Sequence, residues 1–143
     1  MAKWLLKTEP TVYSYSDLER DKKTVWDGVS SPWAMPYIRR VKKGDDAFIY
    51  HTGDEKQVIG IAEITSESYP DPKKGDSEFH QVFNIKPVKK LKNPVTLADV
   101  KADKRFKDSK LVTNPRLSVQ PVSDDMWIGI LKLSEKKAVS GRH

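Results

Sequence analysis

The chain has 143 residues, with 26 Lys and Arg against 20 Asp and Glu, a formal net charge of +6 and no cysteine. That length fits one domain able to bury roughly two thirds of the surface its unfolded form exposes, and the missing cysteines exclude disulfides, thiolate nucleophiles, iron-sulfur clusters and Cys-type zinc sites. The longest apolar run near the start, Trp4-Leu5-Leu6, is too short for a signal-peptide core or a membrane span, so the expected setting is cytoplasmic, with no membrane partner.

Trp4 to Glu9 alternates, with Trp4, Leu6 and Thr8 on one face and Leu5, Lys7 and Glu9 on the other, which predicts a strand ending at Pro10. Ser16-Asp17-Leu18-Glu19 fits a capping box opening a short helix. The stretch TVWDGVSSPWAMPY, Thr24 to Tyr37, then sets two tryptophans around small residues. A helix from Ser31 would place Pro36 in its second turn, where the ring clashes with the backbone. Pro36 fits better as the first helical residue of a segment running through Tyr37, Ile38 and Arg39 to a stop near Gly44, leaving Gly28 to Met35 irregular. Two readings stand for Trp26, a core anchor for the loop or an aromatic wall beside open space, while Trp33 reads as an anchor. Asp27 fits a turn-stabilising role before Gly28.

Asp46 to Thr52, Gln57 to Ser66 and His80 to Leu91 are rich in Ile, Val, Phe and Tyr and predict three more strands. Gly53-Asp54 favours a tight hairpin between the first two, and Tyr69-Pro70-Asp71-Pro72 cannot continue a strand. Thr96, with Asp99 three residues on, and Ser123, followed by Asp124 and Asp125, are predicted N-caps. Trp127, Ile130 and Leu131 then follow helical spacing, so Trp127 belongs to the core. Between these helices, Arg116 to Gln120 alternates strictly and predicts a strand with Arg116, Ser118 and Gln120 on one face and Leu117 and Val119 on the other.

The positive balance favours polyanionic partners through counterion release. Lys136, Lys137, Arg142 and His143 belong to a tail, 135–143, expected to be disordered. His51, His80 and His143 show no metal-ligand spacing, and neither a metal nor a cofactor is expected. His51 reads as a hydrogen-bonded strand residue, and Tyr50 as either pocket or core.

Taken in order, Trp4-Leu5-Leu6-Lys7-Thr8-Glu9-Pro10, Tyr13-Ser14, Asp17-Leu18, Trp26-Asp27-Gly28-Val29, Gly44-Asp45, Tyr50-His51-Thr52, Ile59-Gly60-Ile61-Ala62, Tyr69-Pro70-Asp71-Pro72 and Arg116 to Val122 resemble the EVE domain. The resemblance runs to about Leu133. It implies an α+β, PUA-like mixed β-barrel of about five to six strands flanked by short helices over residues 1–134, related to the YTH and SRA readers of modified bases. In such readers a flipped nucleotide enters an aromatic pocket. Carried onto this sequence, the resemblance implies a base pocket of Trp26, Gly28, Val29, Ser30, Ser31 and Trp33, with Lys7 and Thr8, Tyr50 and His51, and Arg116, Ser118 and Gln120. The chain departs from the family pattern at Ser31 to Pro36, where Trp33 offers a stacking surface in place of Asn and Arg.

The expectation is a non-catalytic module, monomeric, whose partner is DNA or RNA carrying a modified base. Arg39, Lys42 and Lys43 are candidates for flanking phosphates. Two alternatives are weighed. One is a hydrolase of modified nucleosides, like the ASCH relatives, built from Lys7, Thr8, Glu9 and His51; alternation sends Thr8 away from Lys7 and Glu9, which counts against it. The other is a protein adaptor with a vestigial pocket.

Overall fold

The computed structural model describes residues 2–27, 33–75 and 80–140, the last four by backbone alone. In chain order the elements are β1 (Lys3–Thr8), α1 (Tyr15–Asp21), β2 (Thr24–Trp26), α2 (Met35–Ile38), β3 (Asp46–His51), β4 (Gln57–Ile64), β5 (Tyr69–Pro70), β6 (Gln81–Thr96), α3 (Leu97–Ala102), α4 (Lys110–Thr113), β7 (Val119–Pro121) and α5 (Asp124–Ser140). Six strands follow the order β2-β6-β4-β3-β1-β7, and β5 pairs with β6. β1 runs parallel to β3 and antiparallel to β7, whereas the β3–β4, β4–β6 and β2–β6 pairs are antiparallel. This mixed sheet curls into a half-barrel with several short helices, as the α+β expectation has it.

Alternation along the strands divides the core in two. Trp4, Leu6, Ile49, Ile64, Phe83 and Ile85 face one way and pack with Tyr15 and Leu18 of α1 and Met35 and Ile38 of α2. Leu5, Phe48, Val58 and Val95 face the other way, against Val100 of α3, Leu111 of α4 and Trp127 and Ile130 of α5. Trp127 is in the core as expected, stacked on Phe48 with ring centroids 3.9 Å apart. The 53–54 hairpin and the Thr96–Asp99 capping box are both present, with Gly53 at φ +73°. Ser123 caps α5, its Oγ accepting the Met126 N–H at 3.1 Å.

Five local expectations need correction. The α1 capping box is Ser14 with Asp17, not Ser16 with Glu19: the Ser14 Oγ accepts from Asp17 N at 3.1 Å and Asp17 accepts from Ser14 N at 2.8 Å. The earlier start turns Tyr15 and Leu18 onto the buried face, and the Tyr15 hydroxyl donates to the Ile61 carbonyl at 2.7 Å. α2 is one turn, Met35–Ile38, rather than a segment reaching Gly44, because Lys42 N bonds the Asp45 carboxylate instead of continuing a helix. Residues 116–118 are not strand. Leu117 and Val119 are buried as the alternation required, but the chain turns at 115–116, and β7 begins only at Val119. Tyr69–Pro70 does form a two-residue strand on β6. Finally, α5 runs to Ser140, past residue 134 where the tail was placed, while 141–143 lie outside the described residues.

Gly129 sits inside α5, where alanine ordinarily stabilises a helix by about 1 kcal/mol. Here a Cβ would overlap the ring of the buried Phe106. Gly129→Ala is therefore expected to destabilise by about 1–3 kcal/mol in urea unfolding. In a Phe106→Leu background, where the ring is gone, the same substitution is expected to lose most of that cost.

Candidate functional site

Trp26 closes β2, where pairing with β6 sets it opposite Phe83. Val25 points outward, and the Trp26 indole, 7% exposed, enters the α1–α2 core. Asp27 follows it, with an oxygen 3.7 Å from Lys73 Nζ. The expected pocket residues Gly28, Val29, Ser30 and Ser31 lie outside the described residues. Trp33, read as an anchor, is 77% exposed. The reason is local: Ala34, Met35 and Ile38 take the buried face of the α2 turn, which leaves the indole toward solvent.

The remaining site residues split between the two faces of the sheet. Lys7 pairs with Tyr50 and Thr8 with His51 in the parallel β1–β3 ladder. Thr8 and His51 lie on the α1 side with Trp26; Lys7, Tyr50 and Gln120, which is opposite Leu5, lie on the α3–α5 side. Adjacent residues of one strand cannot line the same hollow through their side chains, and the expected single constellation is not brought together. Lys7 Nζ donates to the Pro115 carbonyl at 2.5 Å and sits 5.5 Å from the Tyr50 ring centroid. Burial lowers the pKa of Lys7 and raises that of Tyr50. The buried Gln120 amide donates to the carbonyls of Leu117, Asn114 and Lys110 at 2.8, 3.3 and 3.4 Å, so it braces the turn before β7. The Ser118 carbonyl accepts the Lys7 N–H at 2.9 Å, and Arg116 is exposed.

His51 is committed on both nitrogens. Nε2 accepts the Tyr15 backbone N–H at 3.0 Å, so Nδ1 carries the proton and donates to Glu55 Oε1 at 2.9 Å. The Thr8 hydroxyl donates to the Tyr13 carbonyl at 2.7 Å, and Glu9 accepts from Thr52 Oγ1 at 3.2 Å. Lys7, Thr8, Glu9 and His51 thus have separate structural partners and form no acid–base pair. Among the described residues, no cluster of three His, Cys, Asp or Glu could hold a metal. No helix among them is long and apolar enough to cross a membrane.

One arrangement escaped the sequence. The half-buried ring of Tyr37 has the Arg40 guanidinium 5.7 Å from its centroid and Lys110 Nζ at 6.0 Å, and Arg40 is also 5.9 Å from the Trp4 ring. The spacing of Tyr37 and Arg40 within a run of cations was a usable signal for half of it; Lys110, on α4, was not foreseeable without the fold. Arg39, Lys42 and Lys43 are exposed beside this group.

The EVE domain family model matches residues 2–133. Human thymocyte nuclear protein 1 is 29% identical over 167 aligned positions, spanning 94% of this chain and 74% of that protein. Among solved structures, Rpa0253 of Rhodopseudomonas palustris is 40% identical, with a TM-score of 0.88 over 94% of each chain. Human THYN1 in complex with 5-methylcytosine containing DNA is 26% identical, with a TM-score of 0.87 over 94% of this chain and 98% of that one. The YTH domain of Zygosaccharomyces rouxii MRB1, in complex with N6-methyladenosine RNA, shares the fold at a TM-score of 0.56 and 16% identity, over 93% of this chain and 86% of that one.

Removing the His51 acceptor leaves a buried Tyr15 N–H unpaired, so His51→Leu is expected to lose about 1–3 kcal/mol of stability in denaturant unfolding. The His51 N–H also holds the Glu55 carboxyl below its ordinary value of 4.5. A lowered folded pKa contributes stability above the unfolded value and loses it as pH falls through the folded one. The stability gap between the parent and Glu55→Gln is therefore expected to be widest above pH 4.5 and to close below it.

Proposed function

This chain belongs to the EVE domain family, and on that premise we propose that it is a non-catalytic module that binds nucleic acid carrying a modified base and takes that base, flipped from its stack, against the Trp26 edge of the sheet. The observation that carries the reading is the human THYN1 complex with 5-methylcytosine containing DNA, whose chain matches 94% of the length of this one. The modified-RNA complex of a YTH domain on the same fold supports the same class of ligand.

The placement of Trp26 suits the task. It is the last residue of an edge strand, with its indole packed firmly by the α1–α2 core and its chain continuing into the 28–32 segment. Only 7% of the residue's surface is exposed, so what it offers a base is the rim of a rigidly held ring, at little entropic cost on binding. Extruding a base costs a few kcal/mol, less in a single strand, and stacking on one aromatic returns about 1–3 kcal/mol. A full stack would roughly balance extrusion, and selectivity falls to contacts with the base edge and to the fit of the modification. Arg39, Lys42 and Lys43 would hold phosphates on either side without choosing the sequence.

The reading is tested with paired oligonucleotides differing only in one modification, 5-methylcytosine in DNA and N6-methyladenosine in RNA among them. The parent is expected to bind at least one modified strand about tenfold more tightly than its unmodified twin. Trp26→Phe, which keeps the core apolar, is expected to reduce that preference without lowering the melting temperature by more than a few degrees. Equal retention of modified and unmodified strands by the parent across the panel refutes the proposal.

A further inference from the structure

The exposed aromatic and cationic surface centred on α2 lies on the solvent side of the core that holds Trp26, with Tyr37 packed against that core. From Trp33 to Lys43 the chain carries Trp33, Tyr37, Arg39, Arg40, Lys42 and Lys43 and no carboxylate. The first carboxylate after it, Asp45, is buried and occupied by Trp4 Nε1, Ala2 N and Lys42 N. From the other side of the sheet end, α4 brings Lys110 over the same Tyr37 ring that Arg40 approaches. Neither Arg40 nor Lys110 makes an ion pair with a carboxylate among the described residues, although most of the cations along β6 do: Lys86 with Glu63, Lys90 with Glu19 and Lys92 with Glu135. Two cations within 6.0 Å of one ring centroid, neither paired with a carboxylate among the described residues, concentrate positive charge around it and favour an anion there. Trp33 stands one turn before Tyr37 with 77% of its surface in solvent, while Trp4, Trp26 and Trp127 are 2%, 7% and 7% exposed.

We propose that Trp33, Tyr37, Arg40 and Lys110 form a stacking and phosphate platform for an unpaired nucleotide next to the one that the Trp26 site reads. The inference rests on the nucleic-acid reading above and adds a second subsite to it. An exposed indole stacks only on a base that is itself unstacked, which selects single-stranded or locally opened nucleic acid over intact duplex. Arg40 and Lys110, held by Tyr37 through cation–π attraction, take the phosphate that follows. The Trp26 site then decides which base is read, and this platform decides how the strand is held and how strongly salt competes. The shared chemistry is a phosphodiester with a free base face, from DNA or from RNA.

The test uses unmodified oligo-dT and oligo-U of about ten nucleotides, within the ~4–16-nucleotide range of comparable single-strand sites. Because three of the four tryptophans are shielded, collisional quenching with acrylamide reports chiefly on Trp33. Either strand is expected to protect that emission, and Trp33→Ala is expected to weaken binding about 5- to 150-fold, with Trp33→Phe recovering part of the loss. Arg40→Ala and Lys110→Ala are each expected to reduce the slope of log affinity against log salt by about 0.7, the value for one single-strand phosphate contact. Loss on oligo-dT alone or oligo-U alone shows that the platform senses the sugar or the thymine methyl, which oligo-dU separates; loss on both assigns the platform to either strand. The proposal is overturned if Trp33→Ala binds both strands as tightly as the parent, or if duplex of the same sequence protects the indole as well as the single strand does. The modified-to-unmodified ratio must survive Trp33→Ala. A ratio of one in the parent defeats the Trp26 reading while leaving the Trp33 effect measurable, and an unchanged Trp33→Ala with a large ratio defeats only this inference.

Discussion

Strand β1 is buried on both faces, and almost everything else in the molecule follows from that. It pairs in parallel with β3 and antiparallel with β7, so its backbone is satisfied on both edges. Its side chains then have no solvent to face over Trp4-Leu5-Leu6, whose exposures are 2%, 0% and 0%. Two apolar layers must therefore be supplied, one by α1 and α2 and one by α3, α4 and α5. Burial on that scale is the main favourable term in folding, and it fixes register, because a slip by one residue would exchange the two layers. The few polar groups admitted near β1 are fully used. Asp45 ties the Trp4 indole to the start of β3, and His51 ties the end of β3 to the start of α1.

The same alternation explains why the fold was largely legible in the sequence and the site was not. Alternation located β1, and richness in Ile, Val, Phe and Tyr located β3, β4 and the start of β6, all within a residue or two, and the Thr96 cap and Trp127 fell where local chemistry put them. Failures came where two local signals competed and a distant contact decided between them. Ser16 was read as the cap from its spacing to Glu19, whereas the helix starts at Ser14, which turns Tyr15 onto the Ile61 carbonyl. Arg116 to Gln120 alternates like a strand, but Gln120 folds its amide onto three carbonyls of the preceding turn and shortens β7. The pocket assembled from the resemblance joined Lys7 to Thr8 and Tyr50 to His51, neighbours that a strand must send to opposite faces. That error was detectable from periodicity alone.

Trp33 shows a different limit. A large aromatic in a small-residue stretch is a core anchor by default, because burial of an indole is so favourable. In a helical turn only four residues long, however, the buried face has room for few side chains, and Ala34, Met35 and Ile38 fill it. The indole is left outside by crowding, which no single-residue preference encodes. The neighbouring cations belong to the same geometry: a turn with one face committed to the core must display everything else it carries, here Trp33 and Arg39.

The division of the surface has a consequence for how selectivity and affinity combine. Contacts made by apolar packing and directed hydrogen bonds at a flipped base are short-ranged and shielded, so salt barely touches them. Phosphate contacts on exposed cations are the reverse: they strengthen every strand alike and weaken together as counterions compete. In the proposed arrangement the first kind belongs to the Trp26 site and the second to the α2 and α4 cations, α2 itself being packed into the core that holds Trp26. Affinity can then be tuned by surface charge without disturbing the packing that holds the reading tryptophan, and the fraction of binding due to each is separable by salt alone. A module built this way has a total affinity that varies with ionic strength, while its preference between a modified base and an ordinary one stays nearly constant.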